Sequence, residues 1–322
     1  MITGDRQLLV QGTEANRRLH LQVAQVGELK AVFWGRGALV SPLFTRGRFD
    51  IVTAQDPFWR GLAAWIIARR LNAKLQLQIH TNFLEPSFGQ RSFGNRLRAR
   101  LGKFLLRRAD CVRVVSEPIA RSLAPFHLSV PVSMLPVFID IDEVRTAPAA
   151  DLRAEYPQFS KILLVTARLE QEKNIDAIIR EMPDILKVFP EAGLFIAGSG
   201  TQREILVKLA GTLGVANNVV FLGFRTDIFS LYKAADVVLA ATATYEGYGA
   251  STVEALAAGC PVISDDVGIA RQAGASIAPR GHYADAAIGV LRSGVRGELK
   301  LSLPDRDTWA KKWGESLRYC AS

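Results

Sequence analysis

The chain has 322 residues, of which 49 % are hydrophobic and 22 % are charged. That length and composition predict two globular domains and exclude a disordered protein. No apolar run approaches the roughly 18 residues that a membrane-spanning helix needs. The first residues lack a basic stretch followed by an apolar one, so no secretory signal is predicted.

The positive charge lies in the first half of the chain. Residues 1–150 contain 21 Lys and Arg against 11 Asp and Glu, and residues 151–322 contain 19 against 20. A basic half joined to a neutral one indicates that only one domain meets an anionic surface or substrate. Nucleic acid is not the expected partner, because the basic segment 91–113 lacks interleaved aromatic residues and any known reader motif.

Short β-branched runs alternate with helical patterns along the chain. The first half predicts strands at 30–34, 49–55, 74–81, 111–116 and 132–139, and helices at 57–71 and 93–108. The second half predicts strands at 161–168, 192–198, 218–223, 236–241 and 260–264, and helices near 173–188, 201–213, 227–234 and 250–258. Such alternation is typical of parallel sheets covered on both faces.

A polar, proline-bearing stretch near 140–158 separates the two series. We therefore expect an α/β protein with two Rossmann-like domains, residues 1–145 and 146–303, that face an interdomain cleft. A stripe of Trp309, Trp313 and Leu317 predicts a last helix, 304–322, that returns to the first domain.

Neither the cysteines nor the acidic pairs predict a metal site. Cys111, Cys260 and Cys320 are odd in number, far apart and not near histidines at metal-ligand spacing. They are interpreted as reduced packing thiols in the cytoplasm. Asp265 and Asp266 are adjacent and are interpreted as turn residues.

The segment 245–263, YEGYGASTVEALAAGCPVI, predicts a ligand site. Its glycines, Gly247 and Gly249, let a ligand approach the backbone, and a helix that starts near Ala250 offers free N–H groups to a diphosphate. Glu246 in the loop and Glu254 in the helix would repel phosphate, so we assign them to sugar hydroxyls. The alternative is one loop carboxylate and one exposed helical position.

Two further strand ends predict anion contacts. Arg168 and Lys173, five positions apart, could both reach one anion, with Arg as a fork and Lys as a point charge. The turn through Gly198, Ser199 and Gly200 adds a backbone cradle. The alternative for Arg168 and Lys173 is a solvated strand end and helix start.

These motifs resemble the retaining glycosyltransferases of family 4, which have the GT-B fold. The similarity is carried by the segment 245–263, called here the glutamate segment, by ARLEQEKNID at 167–176 and by FLGFRTD at 221–227. Three stretches of the first half are more loosely similar: FDIVTAQDP, LQIHT and VVSEP. Met1-Ile-Thr-Gly resembles the end of the family's first strand, and about fourteen residues separate Trp34 from Phe49. We therefore expect a short or truncated first domain.

The resemblance implies a role for each matching position. Arg168 and Lys173 would hold the donor diphosphate and stabilise the leaving group, and Glu254 would bind the ribose. Glu246, with the backbone at Tyr248 and Gly249, would hold the transferred sugar. The residues that complete the donor site would be His80 beside the sugar and phosphate, Gly223 and Phe224 by the nucleobase, and the flanking Gly198, Gly247 and Ala250. Fixed cations and helix dipoles suffice for the departing charge, so no metal or other cofactor is expected.

The basic segment 91–113 holds eight Lys and Arg and one Asp. Leu97, Leu101, Phe104 and Leu105 fall on one side of its helical pattern, and Arg96, Arg100, Lys103 and Arg107 lie mostly elsewhere. One interpretation is a core-packed helix with a solvated basic face. The other is a cytoplasmic surface that meets anionic lipid on the inner face of the membrane.

The expected function is transfer of a sugar from a nucleotide diphosphate sugar to a polysaccharide or lipid-linked acceptor. A nucleotide-sugar epimerase is the alternative enzyme, although it would not need Glu246 and Glu254 at this spacing. A catalytically idle binding protein of the same fold is the alternative from another class.

Overall fold

The computed structural model describes residues 1–4, 8, 10–11, 13–34 and 47–321. The chain divides into two compact units: unit 1 comprises residues 1–138 and 303–322, and unit 2 comprises residues 139–302. Each unit is built on a six-stranded sheet whose strands are all parallel. The predicted α/β class is therefore confirmed. Twelve of the fourteen residues between Trp34 and Phe49, residues 35–46, lie outside the described residues.

Unit 1 has the strand order β2-β1-β3-β4-β5-β6. Its strands are β1 (Ile2–Thr3), β2 (Val32–Phe33), β3 (Ile51–Ala54), β4 (Lys74–Ile79), β5 (Cys111–Val114) and β6 (Val132–Met134). Its helices are α1 (Glu14–Val23), α2 (Trp59–Leu71), α3 (Pro86–Gln90), α4 (Phe93–Leu106), α5 (Glu117–Leu123) and, after unit 2, α14 (Arg306–Ala321). The sixth strand ends five residues before the predicted position, ahead of Pro136, which has no N–H to give to a sheet.

The two faces of this sheet differ in chemistry. Leu75, Leu77 and Ile79 of β4 are buried on one face, where α2 and α4 pack. Gln76 and Gln78 alternate with them and are equally buried on the opposite face. There the Gln76 Nε2 donates to a backbone oxygen of α14 at 3.1 Å. Unit 1 thus has an apolar face and a polar face.

The helix α14 completes unit 1 with aromatic side chains. Trp309 and Trp313 are fully buried with Leu135 and Phe138. The Trp309 Nε1 also donates to the Pro136 carbonyl at 2.8 Å. The aromatic stripe therefore serves as packing between this helix and the start of the segment that leads to unit 2.

The prediction of three reduced cysteines is wrong for two of them. Cys111, the first residue of β5, forms a disulfide with Cys320 in the last turn of α14, with their Cα atoms 5.2 Å apart. The two lie 209 residues apart in the chain, and only the packing of α14 on the polar face brings them together. Cys260 is a buried free thiol whose pKa is raised by burial to about 12.

Unit 2 has the strand order β12-β11-β10-β7-β8-β9. Its strands are β7 (Lys161–Thr166), β8 (Ala192–Ala197), β9 (Val219–Gly223), β10 (Val237–Ala240), β11 (Val262–Ser264) and β12 (Ser276–Ile277). Its helices are α6 (Ile141–Thr146), α7 (Leu152–Glu155), α8 (Ile175–Val188), α9 (Arg203–Thr212), α10 (Ile228–Ala234), α11 (Ala250–Ala257), α12 (Ala270–Ala273) and α13 (Tyr283–Ser293).

The first division between the units falls earlier than the predicted residue 145. The short helix α6 packs against α11 of unit 2, and its Val144 is completely buried. Hydrophobic contacts therefore assign residues 139–146 to the second unit, although their polar composition suggested a linker.

Candidate functional site

The carboxyl ends of β7 and β10 bring together the two motifs of unit 2. The strands are neighbours in the sheet, so the loops that follow them meet at one edge. The Lys173 Nζ donates to the Glu246 Oε2 at 2.6 Å. The two side chains are 24 % and 22 % exposed. A backbone hydrogen bond of 2.9 Å from Ala243 to the Glu172 carbonyl ties the two loops together.

Glu246 is held in its ionised form. Burial favours the neutral acid, but the Lys173 ammonium and its hydrogen bond outweigh this effect, together with the backbone N–H groups of Gly247 and Tyr248. The pKa of Glu246 therefore lies below its usual value. The Gly247 N–H donates to the Glu246 Oε1 at 3.1 Å, which fixes the carboxylate at the bend of the glycine loop. A cavity of about 40 Å³ adjoins the pair.

Arg168 and Lys173 have different partners. The Arg168 side chain is 71 % exposed and forms an ion pair of 3.2 Å with Glu172. An exposed pair of this kind contributes little to stability, so the guanidinium can leave Glu172 at small cost. The shared anion expected from the sequence stays a prediction.

The helix α11 begins at Ala250, as the sequence predicted. Gly249 precedes it with a φ of 91°, a left-handed conformation that favours glycine. Glu254 lies one turn inside the helix, and its Oε2 accepts a hydrogen bond of 3.2 Å from the Tyr232 hydroxyl. The loop carboxylate and the helix carboxylate thus have distinct surroundings.

Tyr232 is a residue of this edge that sequence reasoning missed. Its hydroxyl also bonds to the Thr166 Oγ1 at 2.7 Å. Burial, followed by the charge of Glu254, raises the pKa of Tyr232 far above its usual value, so the hydroxyl keeps its proton. The sequence carried no signal for this contact, since Tyr232 looks like one more apolar position of α10.

Tight backbone packing explains the glycine at position 198. A Cβ on Gly198 would lie 1.8 Å from the Ala167 carbonyl oxygen. The Gly198 N–H donates to the Gly223 carbonyl at 2.7 Å. Gly223 ends β9 with a φ of 71°, and the next residue, Phe224, is 65 % exposed. The predicted nucleobase residues therefore lie at the far edge strand of the same sheet.

Tyr248 points its ring into unit 2. The residue is 4 % exposed, and its hydroxyl is buried without a hydrogen-bond partner among the described residues. The Ile269 N–H donates to the Tyr248 carbonyl at 3.1 Å.

Asp265 and Asp266 have structural partners. Asp265 accepts hydrogen bonds from the Thr242 N–H at 2.9 Å and the Tyr283 hydroxyl at 2.8 Å. Asp266 pairs with Arg271 at 2.8 Å. Across the described part of the chain, no group of three or more His, Cys, Asp and Glu side chains is arranged to hold a metal ion.

His80 lies in unit 1, directly after β4. Its Nε2 is buried and has no hydrogen-bond partner among the residues that the structure describes. Burial, and then the charges of Arg113 and Arg18, lower the pKa of His80 to about 3. The imidazole is therefore neutral at physiological pH and can act as a hydrogen-bond donor or acceptor but not as a cation. Arg113 was visible in the sequence as a charge between the apolar Val112 and Val114, yet no role was assigned to it.

The basic helix α4 divides the predicted apolar strip. Leu105 is buried in the core and Leu101 is half-buried, whereas Phe93, Leu97 and Phe104 are exposed. The cations Arg96, Arg100, Lys103 and Arg107 are all exposed. One side of the helix is therefore core, as the first interpretation expected, and the other side is basic with exposed apolar groups. A surface that meets anionic lipid stays a prediction. None of the described helices is long and apolar enough to cross a membrane.

Both halves of the chain match glycosyltransferase family models. Residues 4–143 match Glycosyltransferase Family 4, and residues 153–275 match Glycosyl transferases group 1. An alpha-monoglucosyldiacylglycerol synthase of Streptococcus pneumoniae is 29 % identical over 230 residues, which cover 67 % of this chain and 52 % of that protein. A GDP-mannose-dependent phosphatidylinositol monomannoside mannosyltransferase of Mycolicibacterium smegmatis is 30 % identical over 237 residues, which cover 68 % and 59 %.

Among solved structures, the Anabaena protein Alr3699/HepE in complex with UDP is similar in fold. Its TM-score is 0.68 at 19 % identity, and the match covers 97 % of this chain and 92 % of that one. The chain spans little more than half the length of the two curated relatives named above. The family matches, the two parallel sheets and the glutamate segment lead to one conclusion: the chain belongs to the family 4, group 1 glycosyltransferases, with the GT-B fold.

Proposed function

We propose that this chain is a retaining glycosyltransferase that moves a sugar from a nucleotide diphosphate sugar to a polysaccharide or lipid-linked acceptor. The observation that carries the proposal is the 2.6 Å contact between Lys173 and Glu246 at the start of the glycine loop. This contact places a fixed cation and a fixed carboxylate side by side, as a site for both a diphosphate and a sugar requires.

The leaving group of the reaction is a nucleoside diphosphate, on which negative charge develops. Lys173 is oriented by Glu246, and the exposed Arg168 can turn from Glu172 toward the diphosphate. The free N–H groups at the start of α11 add a positive dipole end. Preorganised charges of this kind stabilise a departing anion without a metal, and the proposed reaction has no other cofactor.

The two carboxylates divide the recognition of the donor. Glu254, oriented by the Tyr232 hydroxyl, accepts hydrogen bonds from the ribose. Glu246 and the backbone at Tyr248 and Gly249 hold the transferred sugar, while Gly223 and Phe224 border the nucleobase. The role of His80 beside the donor sugar and phosphate stays an expectation from the family resemblance.

The acceptor is presented at an anionic membrane surface. The exposed Phe93, Leu97 and Phe104 lie among the exposed cations of α4, a combination suited to the headgroup region of a bilayer. Of the two curated relatives described above, one is named as an alpha-monoglucosyldiacylglycerol synthase and the other as a phosphatidylinositol monomannoside mannosyltransferase, which supports a lipid-linked acceptor. This proposal places the protein in the cytoplasm, peripherally bound to the inner membrane face.

The donor is tested by thermal melting with a panel of nucleotide diphosphates and their sugars, because a ligand that binds only the folded state raises the melting temperature. Glu254→Gln should weaken binding of both free nucleotide and nucleotide sugar. Glu246→Gln should leave free nucleotide binding nearly intact and depress slow donor hydrolysis. Glu204→Gln, an exposed position of α9, is the matched control.

The product distinguishes the alternatives. Release of free sugar with retained anomeric configuration, followed by NMR, supports the transferase. An epimerised nucleotide sugar would instead establish an epimerase. Nucleotide binding with no turnover in the presence of acceptor extracts and anionic vesicles would establish an idle binding protein.

A further inference from the structure

Unit 1 contains a cavity of about 400 Å³. It is bordered by the first residues of three strands, Ile2 of β1, Val32 of β2 and Ile51 of β3. Because the strands are parallel, these residues lie at the amino edge of the sheet, whereas His80 follows the carboxyl end of β4. None of the residues that line the cavity is assigned to the donor, and its volume lies in the range of about 300–1,000 Å³ that is typical of small-molecule sites.

The wall of the cavity is mostly aliphatic. In addition to the three strand residues, Ile67 and Leu71 of α2 border it from one face of the sheet, and Leu317 of α14 borders it from the other. Aliphatic side chains offer no hydrogen bonds, and apolar cavities hold water poorly but take up apolar molecules. The wall therefore suits a hydrocarbon chain and not a sugar or a nucleotide.

One residue of the wall has a buried polar group without a partner. Trp313 of α14 borders the cavity and is completely buried, and its Nε1 has no hydrogen-bond acceptor among the described residues. In contrast, the Nε1 of Trp309, one turn earlier in the same helix, donates to the Pro136 carbonyl at 2.8 Å. Buried indole N–H groups usually have an acceptor, so an oxygen of a ligand would complete the wall.

The charged groups of the wall leave a small positive excess. Five charged side chains border the cavity: Lys30, Arg48, Arg318, Glu28 and Asp50. All five are exposed, so they lie where the cavity meets solvent. The Met1 amino group also borders the cavity and donates to the Lys30 carbonyl at 2.7 Å. Burial lowers the pKa of this amino group to about 6, so it is largely neutral at pH 7. Three cations against two carboxylates leave one positive charge.

We propose that this cavity binds a fatty acid, with the hydrocarbon chain against the aliphatic wall and the carboxylate at the charged mouth. The carboxylate accepts a hydrogen bond from the Trp313 Nε1. A single carboxylate neutralises the positive excess, whereas a phosphate monoester of about −1.5 to −2 exceeds it. The site belongs to unit 1 alone and does not depend on the proposed glycosyltransferase function.

The first experiment measures binding of dodecanoate to the full chain by calorimetry, below the concentration at which dodecanoate forms micelles. We expect saturable binding that weakens about fourfold for each CH₂ removed from the chain, the factor that transfer of one CH₂ out of water gives. Val32→Phe fills the cavity and should reduce the affinity at least tenfold while the melting temperature of the free protein is maintained. Val23→Phe, at an exposed position of α1, is the matched control.

The second experiment leaves the cavity unchanged. Undecanoate that carries bromine on its terminal carbon quenches the fluorescence of a tryptophan that it contacts. Of the five tryptophans, all in unit 1, Trp313 alone is among the described residues that line the cavity. We expect saturable quenching that dodecanoate reverses. Trp313→Phe should remove it, and Trp59→Phe, at an exposed position of α2, should leave it in place.

The third experiment tests the charged mouth. Arg48→Gln with Arg318→Gln should weaken dodecanoate binding about threefold to tenfold, the effect of losing two exposed cations. Binding of dodecanol, which has no charge, should not change. Arg69→Gln with Arg107→Gln, two exposed cations that do not border the cavity, is the control. No saturable binding, an affinity independent of chain length, or full affinity in a folded Val32→Phe would overturn the site. An equal loss for dodecanol and dodecanoate would overturn the assignment of the carboxylate to the mouth.

Discussion

The two sheets have the same parallel architecture and the same number of strands but are stabilised in different ways. The central strands of unit 2, KILLVT and AGLFIA, bury apolar side chains on both faces. In unit 1 the strand KLQLQI alternates, and its glutamines are as buried as its leucines. Alternation usually marks a strand with one solvated face. Here the second face is covered by α14 and contains a buried hydrogen-bond network.

The comparison extends to charge. At the carboxyl edge of unit 2, Arg168 pairs with Glu172 and Lys173 pairs with Glu246. In unit 1, Arg113 and Arg18 have no carboxylate partner in the described part of the chain. Among the described residues, the cations at this edge of unit 2 are therefore balanced by carboxylates, whereas Arg113 and Arg18 of unit 1 are not.

The largest expected effect comes from the disulfide that only unit 1 contains. Cys320→Ser should reduce the free energy of unfolding of unit 1 by about 2–5 kcal/mol, because the reduced chain regains the entropy that the bridge removes. All five tryptophans lie within unit 1, so denaturant unfolding followed by tryptophan fluorescence reports this unit. Cys260→Ala in unit 2 is the control and should leave the tryptophan transition in place. An unchanged transition in Cys320→Ser would show that α14 is held by packing alone.

The second effect concerns the balanced edge of unit 2. Lys173→Ala should weaken nucleoside diphosphate binding by about 1.5–3 kcal/mol, the range for a hydrogen bond to a charged group. Arg168→Ala should fall in the lower part of that range, because the guanidinium must first leave Glu172. Calorimetry measures both. Lys187→Ala removes an exposed cation that pairs with Asp184 in the same unit, and its affinity should match that of the unmodified chain. Equal affinity in all three variants would refute the diphosphate assignment.

The third effect is the pH dependence of stability, which should differ between the two units. His80 has a pKa near 3 in the folded chain and about 6.5 when unfolded. Between these values the unfolded state binds the extra proton, so the stability of unit 1 falls as the pH drops below about 6.5, by about 2 kcal/mol between pH 7 and 5. His80→Gln should remove this dependence from the tryptophan transition.

Unit 2 should respond only in stronger acid. The folded pKa of Glu246 lies below its usual value, so the stability contributed by its pair with Lys173 is present above that value and is lost as the pH falls through the lowered one. Far-UV circular dichroism in acid below the usual pKa of a glutamate monitors this loss, and Glu246→Gln should abolish it. A loss that begins near pH 6 in unit 2 would contradict the assignment.

The smallest effect concerns the exposed side of α4. The protein should bind vesicles with anionic lipid, bind neutral vesicles poorly and detach as salt rises, because charges are screened over about 8–10 Å at physiological ionic strength. Leu97→Ser with Phe104→Ser keeps every cation and removes exposed apolar groups, and should weaken binding by about 1 kcal/mol or more, since each buried CH₂ contributes about 0.8 kcal/mol. Leu101 is left unchanged because it is half-buried.

The matched control for the vesicle experiment is Ile205→Ser with Val207→Ser, two exposed apolar positions of α9 in unit 2. This pair should leave vesicle binding unchanged. Circular dichroism of each variant verifies the fold. Equal binding to neutral and anionic vesicles would refute the electrostatic surface and leave the basic side of α4 as a solvated one.

Much of the architecture could be predicted because it depends on local patterns. Most strand and helix positions followed from the period of apolar residues, and α11 was placed by Gly249 before it and Gly259 after it. Several elements were not predicted: the helices α1, α3, α5, α6, α7, α12 and α13 and the two-residue strand β12. The helix α1 carries few apolar residues, and α3, α5, α6, α7 and α12 span seven residues or fewer. The ligand site of the glutamate segment could also be predicted from the sequence, since its glycine loop and the start of its helix are neighbours in the chain.

The sequence by itself determined the parallel α/β class, the family and the positions of Glu246 and Glu254. Only the tertiary structure decided which side chains meet: Lys173 with Glu246 over 73 residues, Cys111 with Cys320 over 209, and Tyr232 with Glu254. It also decided that the glutamines of β4 and the charge of Arg113 are buried. The pattern of polar and apolar residues indicates which side chains share a face of a strand. The element that covers that face comes from a distant part of the chain, and it decides which polar groups find hydrogen-bond partners.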